Sequence, residues 1–525
     1  MPLFMKNRWV LFLVLIVFVA LKYPHLYYPF YWDECWPYAS AVKHMYEHGP
    51  SLYPGAIDAE LSRGHPMLFH FCVSLWMKLF GVSNFAMHSF MLCIAVLFIV
   101  IIYELLLRFF DKITASFAIV LVAFHQIYFV QSSFLLPEVM LAFLSFTSVY
   151  FYCTRRYLLT ALSLTLLFYT KESGLVLGVV LGIDAIANLL VESKRWKDNL
   201  LNLLSLYVPL LFIVLFFVLQ KRVQGWYTFP LHSDAIETNW DEYFKKYKAC
   251  IRLLFVDDYR YVLFIVVLIS AIISALVKRN KGHLMPVFIG VVVCLLLSEN
   301  SSSQIWQIFL LVLFNVFFLM YAFGIAKRHS LNMYARNFVM LSAGLIVAFI
   351  AYTALFFIID RYMIIALVPL LVLLSIVLVD FAKDIRMHLY TAYLLIVGFV
   401  LYMSYTYCQN LGDTKLGAFD GMYVQQDATD YIEQGHFEDS YISIYENLQW
   451  LRLNDFYTGF RKRAKPYKHV MWGVKDSTEI VMLENIETTR ADDSSAKLKQ
   501  DSNFILVHRA ERGLAWSEVF IRKAK

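Results

Sequence analysis

The sequence predicts a mainly α-helical, polytopic membrane protein with about 13 transmembrane helices, outer-face juxtamembrane helices and a small C-terminal α/β domain. Its 525 residues are 60% hydrophobic and only 16% charged, whereas soluble proteins have about 45–50% apolar and about 25% charged residues. This composition excludes an ordinary soluble enzyme, a disordered chain and a small disulfide-stapled module. A polytopic membrane protein is the class that remains.

Thirteen apolar runs of helical length support this prediction. Each can cross a hydrocarbon core of ~30 Å if tilt or local thinning of the bilayer compensates for the shorter ones. The first run lacks the small residues of a cleavage site, so we interpret it as a retained helix rather than a signal peptide. The runs are 9–21, 85–107, 114–131, 137–153, 157–170, 173–191, 200–220, 261–277, 284–298, 304–323, 337–358, 362–380 and 389–406.

One further apolar stretch, Pro66 to Phe80, is short and contains His70 and Lys78, so a span and an interfacial helix are both open. Basic residues concentrate in cytoplasmic loops, and seven basic clusters share one side only if this stretch lies on the membrane surface. We therefore expect an interfacial helix, a cytoplasmic N-terminus and an extracytoplasmic C-terminus. The clusters are Lys6/Arg8, Arg108/Lys112, Arg155/Arg156, Lys194/Arg195/Lys197, Lys278/Arg279/Lys281, Lys327/Arg328/Arg336 and Lys383/Arg386.

The charge distribution divides the chain into two expected domains. Residues 1–408 hold 30 basic and 22 acidic residues, and residues 409–525 hold 16 and 18. The net charge of +6 therefore reports membrane orientation, and we expect no nucleic-acid partner. We expect a transmembrane domain at 1–408, with outer loops at 23–84 and 221–260, and an extracytoplasmic α/β domain at 409–525. In the latter, the pattern predicts helices at 427–434 and 448–457, and strands at 441–445 and near 469–473, 479–483 and 503–508.

Cysteine and histidine spacing gives no metal motif. The seven cysteines contain no CxxC pair, which disfavours a thiolate metal site. His44 and His48 have the i,i+4 spacing of metal ligands, but without a further motif we expect a solvated helix face. A disulfide among the outer-face cysteines stays open; these are Cys35, Cys72, Cys250 and Cys408.

Ionisable residues collect at the outer ends of the predicted spans. Placing a charged side chain near the hydrocarbon core costs free energy, so a charged residue retained there indicates a functional site. These residues lie far apart in the sequence, so their convergence at one membrane level is the strongest chemical signal in the chain. They are Asp33 and Glu34 in PFYWDECWPYA, Arg63 and His65 in SRGHPMLF, Glu138 in LLPEVMLAF, Lys171 and Glu172 in FYTKESG, and Asp360 and Arg361 in FFIIDRYMII.

Structural roles are the alternatives for each of these residues. Asp33 or Glu34 can cap a helix, and Glu138 can be stabilised by the positive N-terminal end of its own helix dipole. Lys171 and Arg361 can extend to lipid headgroups. Because the run before Lys171 has only 14 residues, we expect this lysine to lie below the surface, where a functional role is favoured.

The motifs, taken in chain order, resemble those of a known family. They are the Asp33-Glu34 pair, HPMLFHFCVSLWMKLFG from His65, PEVMLAF from Pro137, TKESG from Thr170 and DRYMIIALVPLL from Asp360. This order resembles the GT-C glycosyltransferases of the protein O-mannosyltransferase and lipid A aminoarabinose transferase group (glycosyltransferase family 39 and its bacterial relatives), over roughly residues 1–400. The chain departs from the family's His-Pro-Pro-Leu-type element at Met67. The resemblance implies a GT-C-type bundle.

The resemblance also implies an activity and its site residues. It implies transfer of a sugar, with inversion, from a polyprenyl-phosphate donor to an acceptor hydroxyl on the extracytoplasmic side. A carboxylate can deprotonate the acceptor, and basic residues can stabilise the departing phosphate. The expected residues are Asp33 as general base with Glu34 as second catalytic residue, Lys171 and Arg361 for the donor phosphate, and His65, Glu138, Arg63 and Tyr362 for substrate orientation. Glu34, His65 and Glu138 are the candidate ligands if a divalent cation takes part.

The sequence does not identify a single acceptor, and it gives only a general indication of the membrane. A protein, lipid A and a surface glycan are all open as acceptors, with membrane lipids as surroundings. We expect a bacterial inner membrane. The rival functions are a transporter or lipid flippase, and a glycan polymerase or ligase. The latter would use charged residues of the second outer loop: Glu237, Asp241, Arg252, Asp257 and Arg260.

Overall fold

The structure is mainly helical with a small C-terminal sheet, and the predicted fold class is thereby confirmed. The computed structural model describes residues 8–191, 196–278, 284–300, 303–328, 332–385, 389–407, 410–454, 466–486 and 490–523. Every predicted apolar run coincides with helix, and the third is broken into two. These helices are Trp9–Lys22, Asn84–Phe109, Lys112–Ala123 with Gln126–Gln131, Glu138–Cys153, Tyr157–Thr170, Leu175–Val191, Trp196–Gln224, Arg260–Lys278, Met285–Ser298, Gln304–Arg328, Met333–Ala354, Ile364–Ile385 and Leu389–Tyr407.

The helices form the bundle of an integral membrane protein. Within the described ranges, eight helices are long and apolar enough to cross a bilayer, and further apolar helices have 10–17 residues. Backbone polar groups must be satisfied internally in lipid, which is why the apolar runs are helical. The segment Asp360–Lys383 is central, since 94% of its apolar window is buried, against 28% for Trp9–Tyr27. The number of crossings stays a prediction.

Ion pairs join several of the basic clusters at helix ends. Arg8 Nε lies 2.5 Å from Glu104, Arg155 lies 2.8 Å from Asp198, and Lys383 pairs with Asp111. Each pair joins residues at or beside the ends of different helices, as expected if the clusters share one membrane side. Their orientation in the membrane stays a prediction. Other residues named in the clusters lie outside the described ranges: Lys6, Lys194, Arg195, Arg279, Lys281 and Arg386.

Short helices build the first outer segment. The stretch predicted to be interfacial forms Leu68–Phe80, and 13 residues span only about 20 Å of helix. This length favours an interfacial position over a crossing of ~30 Å. The remaining short helices are Tyr23–Tyr27, Trp32–Glu34, Cys35–Ala39, Ser40–His48 and Ala59–Ser62, and the second outer segment contributes Pro230–Asp234 and Trp240–Phe255.

The C-terminal region contains a five-stranded mixed sheet of β1 Tyr441–Ile444, β2 His469–Trp472, β3 Ile480–Asn485, β4 Phe504–Arg512 and β5 Ala515–Arg522. The strand order is β2-β1-β3-β5-β4. Its four predicted strands are present, whereas helix Arg490–Gln500 and strand β5 were not predicted. Strand β5 follows a tight turn at Gly513, where φ is +58°, and pairs antiparallel with both β3 and β4. The other helices of this region are Gly417–Gln434 and Asn447–Asn454. The end of the predicted 448–457 helix and the expected domain boundary at 408/409 lie outside the described residues.

The segment that follows the last apolar helix packs on the outer segments. The Tyr31 hydroxyl donates to the carbonyl oxygen of Leu411 at 2.6 Å. Lys415 pairs with Asp258, and Arg260 lies 3.1 Å from the same carboxylate. Although burial alone would raise it, these two cations lower the pKa of Asp258 to about 2. The buried pairs therefore hold residues 411–415 against the bundle.

The outer-face disulfide that the sequence left open is not formed by Cys72 or Cys250, two of the described positions. Cys72 and Cys250 carry free thiols, and Cys408 lies outside the described residues.

Candidate active site

Asp33 lies on a tight turn in the predicted first outer segment. The turn Trp32–Glu34 is a single 3-10 turn, and Trp32 adopts a left-handed φ of +50°, which costs a non-glycine residue about 1 kcal/mol. Asp33 Oδ2 pairs with Arg361. Because its side chain is still 31% exposed, a substrate can reach the carboxylate.

Arg361 begins the central helical segment and contacts three carboxylates. Its terminal nitrogens pair with Asp33 and Asp413, and its Nε lies 3.9 Å from Glu138 Oε1. The side chain is only 5% exposed. A guanidinium presents several donors in one plane, so it can serve several oxygens at once.

Lys171 occupies the break between two helices. Helix Tyr157–Thr170 ends, Lys171 is extended, and a 3-10 turn follows at Glu172–Gly174. Gly174 permits this turn because a Cβ there would lie 2.7 Å from Leu167 Cγ. Lys171 Nζ lies 3.0 Å from Glu138 Oε1 and 4.0 Å from the Tyr362 ring centre. The buried lysine is thus held by a carboxylate and an aromatic face.

A cavity of about 190 Å³ adjoins these residues. Asp33 and Arg361 do not line it themselves, and they connect to it through Glu138. The second outer segment supplies one wall of the cavity, and the other walls combine apolar helix residues with polar side chains. The polar residues that line the cavity are His65, Glu138, Lys171, Glu172, Ser173, Thr228, His232, Ser233, Tyr352, Thr353 and Tyr362.

His65 faces a different partner from the ones expected. His65 Nδ1 lies 2.8 Å from Glu172 Oε2, and its ring centre lies 5.1 Å from that of His232. Burial, followed by the charge of His65, lowers the pKa of His232 to about 4. Among the described residues, these three form the group that could hold a metal ion, with their ligand atoms within 4.8 Å of one another. Of the expected metal ligands, only His65 belongs to this group.

Glu34 is directed away from the cavity. It is fully buried, and its oxygens accept hydrogen bonds from the backbone N–H of Tyr31 at 3.0 Å and of Leu135 at 2.5 Å. Its Oε1 also lies 3.1 Å from His88 Nε2. These contacts connect the first outer segment to helix Asn84–Phe109 and to the loop before helix Glu138–Cys153, so the geometry of Glu34 is that of a structural anchor rather than of a second catalytic residue.

Glu34→Ala is expected to lower the free energy of unfolding by about 3 kcal/mol or more, because two buried N–H groups lose a charged acceptor. The measurement is thermal or denaturant unfolding of the purified protein in detergent. Glu60→Ala removes an exposed carboxylate of the same outer segment and should leave stability unchanged. Equal stability of the two variants would contradict the anchoring role.

Arg63 and Asp413 also differ from expectation. The Arg63 guanidinium stacks 4.8 Å from the Trp36 ring centre, which places it beside the turn of Asp33 rather than in the cavity lining. Asp413 was not expected and pairs with Arg361, while burial raises its pKa against the effect of that cation. It is the first acid after the last apolar run, so the membrane-level criterion that selected the other residues would have found it.

The comparisons with known proteins address the same region. Residues 64–219 match the family described as dolichyl-phosphate-mannose-protein mannosyltransferase. The resemblance to membrane glycosyltransferases is confirmed over this stretch, which contains His65, Glu138, Lys171 and Glu172. No curated protein matches the chain in sequence.

Solved structures of two membrane enzymes are similar to the chain along most of its length. One is ArnT from Cupriavidus metallidurans bound to undecaprenyl phosphate, with 13% identity, coverage of 96% of this chain and 97% of that chain, and a TM-score of 0.42. The other is the oligosaccharyltransferase of Archaeoglobus fulgidus in the apo form, with 13% identity, coverage of 91% and 70%, and a TM-score of 0.45. The latter, AglB, is also matched in complex with an inhibitory peptide and a dolichol-phosphate, at 13% identity, 91% and 69% coverage and a TM-score of 0.44.

Proposed function

We propose that this protein is a GT-C-type glycosyltransferase that moves a sugar from a polyprenyl-phosphate donor to an acceptor hydroxyl at the extracytoplasmic face. The observation that carries the proposal is the continuous chain of contacts from Asp33 through Arg361 and Glu138 to Lys171. It combines one accessible carboxylate with two buried cations beside a cavity. The glycosyltransferase match over residues 64–219 supports the proposal.

In the proposed reaction, Asp33 accepts the proton of the acceptor hydroxyl. The acceptor oxygen forms a bond to the anomeric carbon as the bond from that carbon to the phosphate oxygen breaks. The departing polyprenyl phosphate keeps the electron pair and gains negative charge. Attack opposite the phosphate inverts the anomeric configuration, a feature that the family resemblance implies.

Arg361 and Lys171 would stabilise the charge that develops on the departing phosphate. In the structure both cations are held by carboxylates, so a phosphate would compete with Asp33 and Glu138 for them. A shift of Arg361 from Asp33 to the phosphate would leave the carboxylate free to act as a base. Tyr362 lies under Lys171 and would limit the position of its ammonium group.

The distribution of basic residues supports a reaction outside the cytoplasm. By the positive-inside rule, the basic clusters favour a cytoplasmic N-terminus, and the proposed site residues lie at the opposite helix ends. We propose a bacterial inner membrane, with the carrier phosphate at headgroup level and the C-terminal domain on the acceptor side.

The polymerase or ligase alternative receives less support from the second outer segment. Glu237 lies 3.0 Å from Lys246, and Arg252 lies 3.3 Å from Asp257. These residues pair with their own neighbours and do not line the cavity.

The function is tested with purified protein in sealed liposomes. Polyprenyl-phosphate hexoses and pentoses are supplied with peptide, lipid A or glycan acceptors, and both product mass and polyprenyl phosphate release are measured. Acceptor-dependent release with a matching mass increment is expected. Donor movement across the bilayer without transfer would contradict the proposal and indicate a flippase.

Lys171→Ala is expected to reduce kcat/KM for the donor by about 10²-fold, because one charge-stabilising donor to the phosphate is lost. The measurement is initial rate against donor concentration. Lys245→Ala removes an exposed lysine and serves as the control. Since the single change leaves Glu138 without its nearest cation, the double variant Lys171→Met/Glu138→Gln is included. It should recover stability without recovering activity, and normal donor kinetics in Lys171→Ala would contradict the phosphate contact.

A further inference from the structure

Three side chains from three separate segments converge on one wall of the cavity. His65 belongs to the first outer segment, Glu172 to the break between two apolar helices, and His232 to the second outer segment. Their ligand atoms lie within 4.8 Å of one another, and the His65–Glu172 pair is at 2.8 Å. Two imidazoles and one carboxylate are the protein ligands of many zinc sites that keep a position open.

The backbone beside His65 is built for this approach. Gly64 has a φ of +74°, and a Cβ there would lie 2.8 Å from the Trp226 ring and 3.1 Å from Phe229 Cβ. Only glycine lets the first and second outer segments come this close. The Phe229 ring in turn contacts His232, with ring centres 5.6 Å apart. The two histidines are therefore held in place by packing rather than by chance contact of mobile chains.

The site opens to the cavity. All three residues line the cavity, together with Lys171 and the hydroxyl-bearing Ser233. Three ligands leave at least one coordination position for a water molecule or a substrate oxygen. Mixed nitrogen and oxygen ligands favour Zn²⁺ and similar transition ions over Mg²⁺ and Ca²⁺, which prefer oxygen ligands alone.

We propose that His65, Glu172 and His232 bind one divalent transition metal ion of the Zn²⁺ type, with an open position toward the cavity. Metal binding by this site is independent of the proposed function. The role of the bound ion rests on that function: the ion would add a further positive charge, beside those of Lys171 and Arg361, for an oxygen of the donor phosphate. The alternative is a simple His65–Glu172 hydrogen bond that joins two segments, with His232 packed against it.

The test is Zn²⁺ titration of the full chain in detergent after chelator treatment, with metal content measured by mass spectrometry. One tight Zn²⁺ per chain is expected. His232→Ala and Glu172→Gln should each weaken the Zn²⁺ affinity by at least about 10-fold, because even the loss of a group that only supports a metal ligand costs this much. The double variant His44→Ala/His48→Ala removes the other pair of histidines with ligand-like spacing and should bind normally. Melting temperatures identify variants that fail to fold.

Cobalt provides a second readout that a structural hydrogen bond would not produce. Co²⁺ bound by the wild-type protein should show the intense visible absorption of a four-coordinate site, and His65→Ala should lose it. The site would be overturned if His65→Ala, Glu172→Gln and His232→Ala each bound Zn²⁺ with the affinity of the wild type. It would also be overturned if the variant that carries all three changes bound Zn²⁺ as tightly as the wild type.

The two proposals fail separately. Sugar transfer by a protein that binds no Zn²⁺ would overturn the metal site and leave the transferase proposal intact. If the protein shows no transfer activity but binds Zn²⁺ tightly, and His232→Ala abolishes this binding, the transferase proposal is overturned and the metal site stands. If both hold, removal of Zn²⁺ should raise the donor KM about 10-fold or more, and an unchanged KM would overturn the role at the phosphate.

Discussion

Asp33→Asn is expected to reduce kcat for sugar transfer by about 10²–10⁴-fold, the usual contribution of a general base. The amide keeps the size of the side chain but cannot accept the acceptor's proton at neutral pH. The measurement is release of polyprenyl phosphate at saturating donor and acceptor. Because the carboxylate is accessible on a turn and only part-buried, the loss should arise mainly in the chemical step.

Two controls separate base catalysis from structure. Asp58→Asn changes an exposed acid of the same outer segment and should leave turnover unchanged. Asp33→Asn also loses a charged partner of Arg361, so its melting temperature is measured beside the wild type. A folded Asp33→Asn protein with near-normal turnover would remove Asp33 as the base.

Arg361→Ala is expected to have the largest combined effect on stability and activity. Its removal leaves Asp33, Asp413 and Glu138 without a shared buried cation. Removing one partner of a buried ion pair costs about 3–5 kcal/mol, and we expect the lower end because Glu138 keeps Lys171 and Asp33 is part-exposed. Donor kcat/KM should fall by about 10³-fold, since both the phosphate contact and the position of Asp33 are lost. Unfolding in detergent and initial rates measure the two effects.

Further variants distinguish charge from geometry at Arg361. Arg361→Lys retains a cation but not the planar set of donors that reaches several carboxylates, so stability should recover more than activity. Asp413→Asn removes one competitor for the guanidinium and should cost less activity than any change at Arg361. Arg336→Ala changes an exposed arginine and is the matched control. Full activity in Arg361→Lys would contradict a role that depends on the guanidinium shape.

The placement of charged residues by membrane level could be predicted from the sequence. Apolar runs must be helical in lipid, so their ends define a level, and Lys171, Glu138 and Arg361 lie together as that criterion predicts. It could not predict their partners. Neighbouring residues on a tight turn point in different directions, and for this reason Asp33 meets Arg361 whereas Glu34 is buried against Leu135 and its neighbours.

The loop residues escaped prediction for a different reason. His232 lies in an outer segment without periodicity or motif, and its approach to His65 depends on the packing of Gly64 against Trp226 and Phe229. Asp413 is the first acid after the last apolar run, but it also belongs to the 18 acids of the expected C-terminal domain, 409–525. Long-range contacts such as Lys415 with Asp258 bring it to Arg361.

Amino-acid composition is enough to identify the chain as a helical membrane protein, and the ends of its apolar runs predict the membrane level of its few charged residues. Composition and helix length carry this information locally, because the bilayer imposes one requirement on every segment. Which side chains contact one another follows from the folded arrangement: Arg361 with three carboxylates, Lys171 with Glu138, and His65 with Glu172 and His232. These pairings depend on how helices and outer segments pack, and they bring together residues that are distant in the chain.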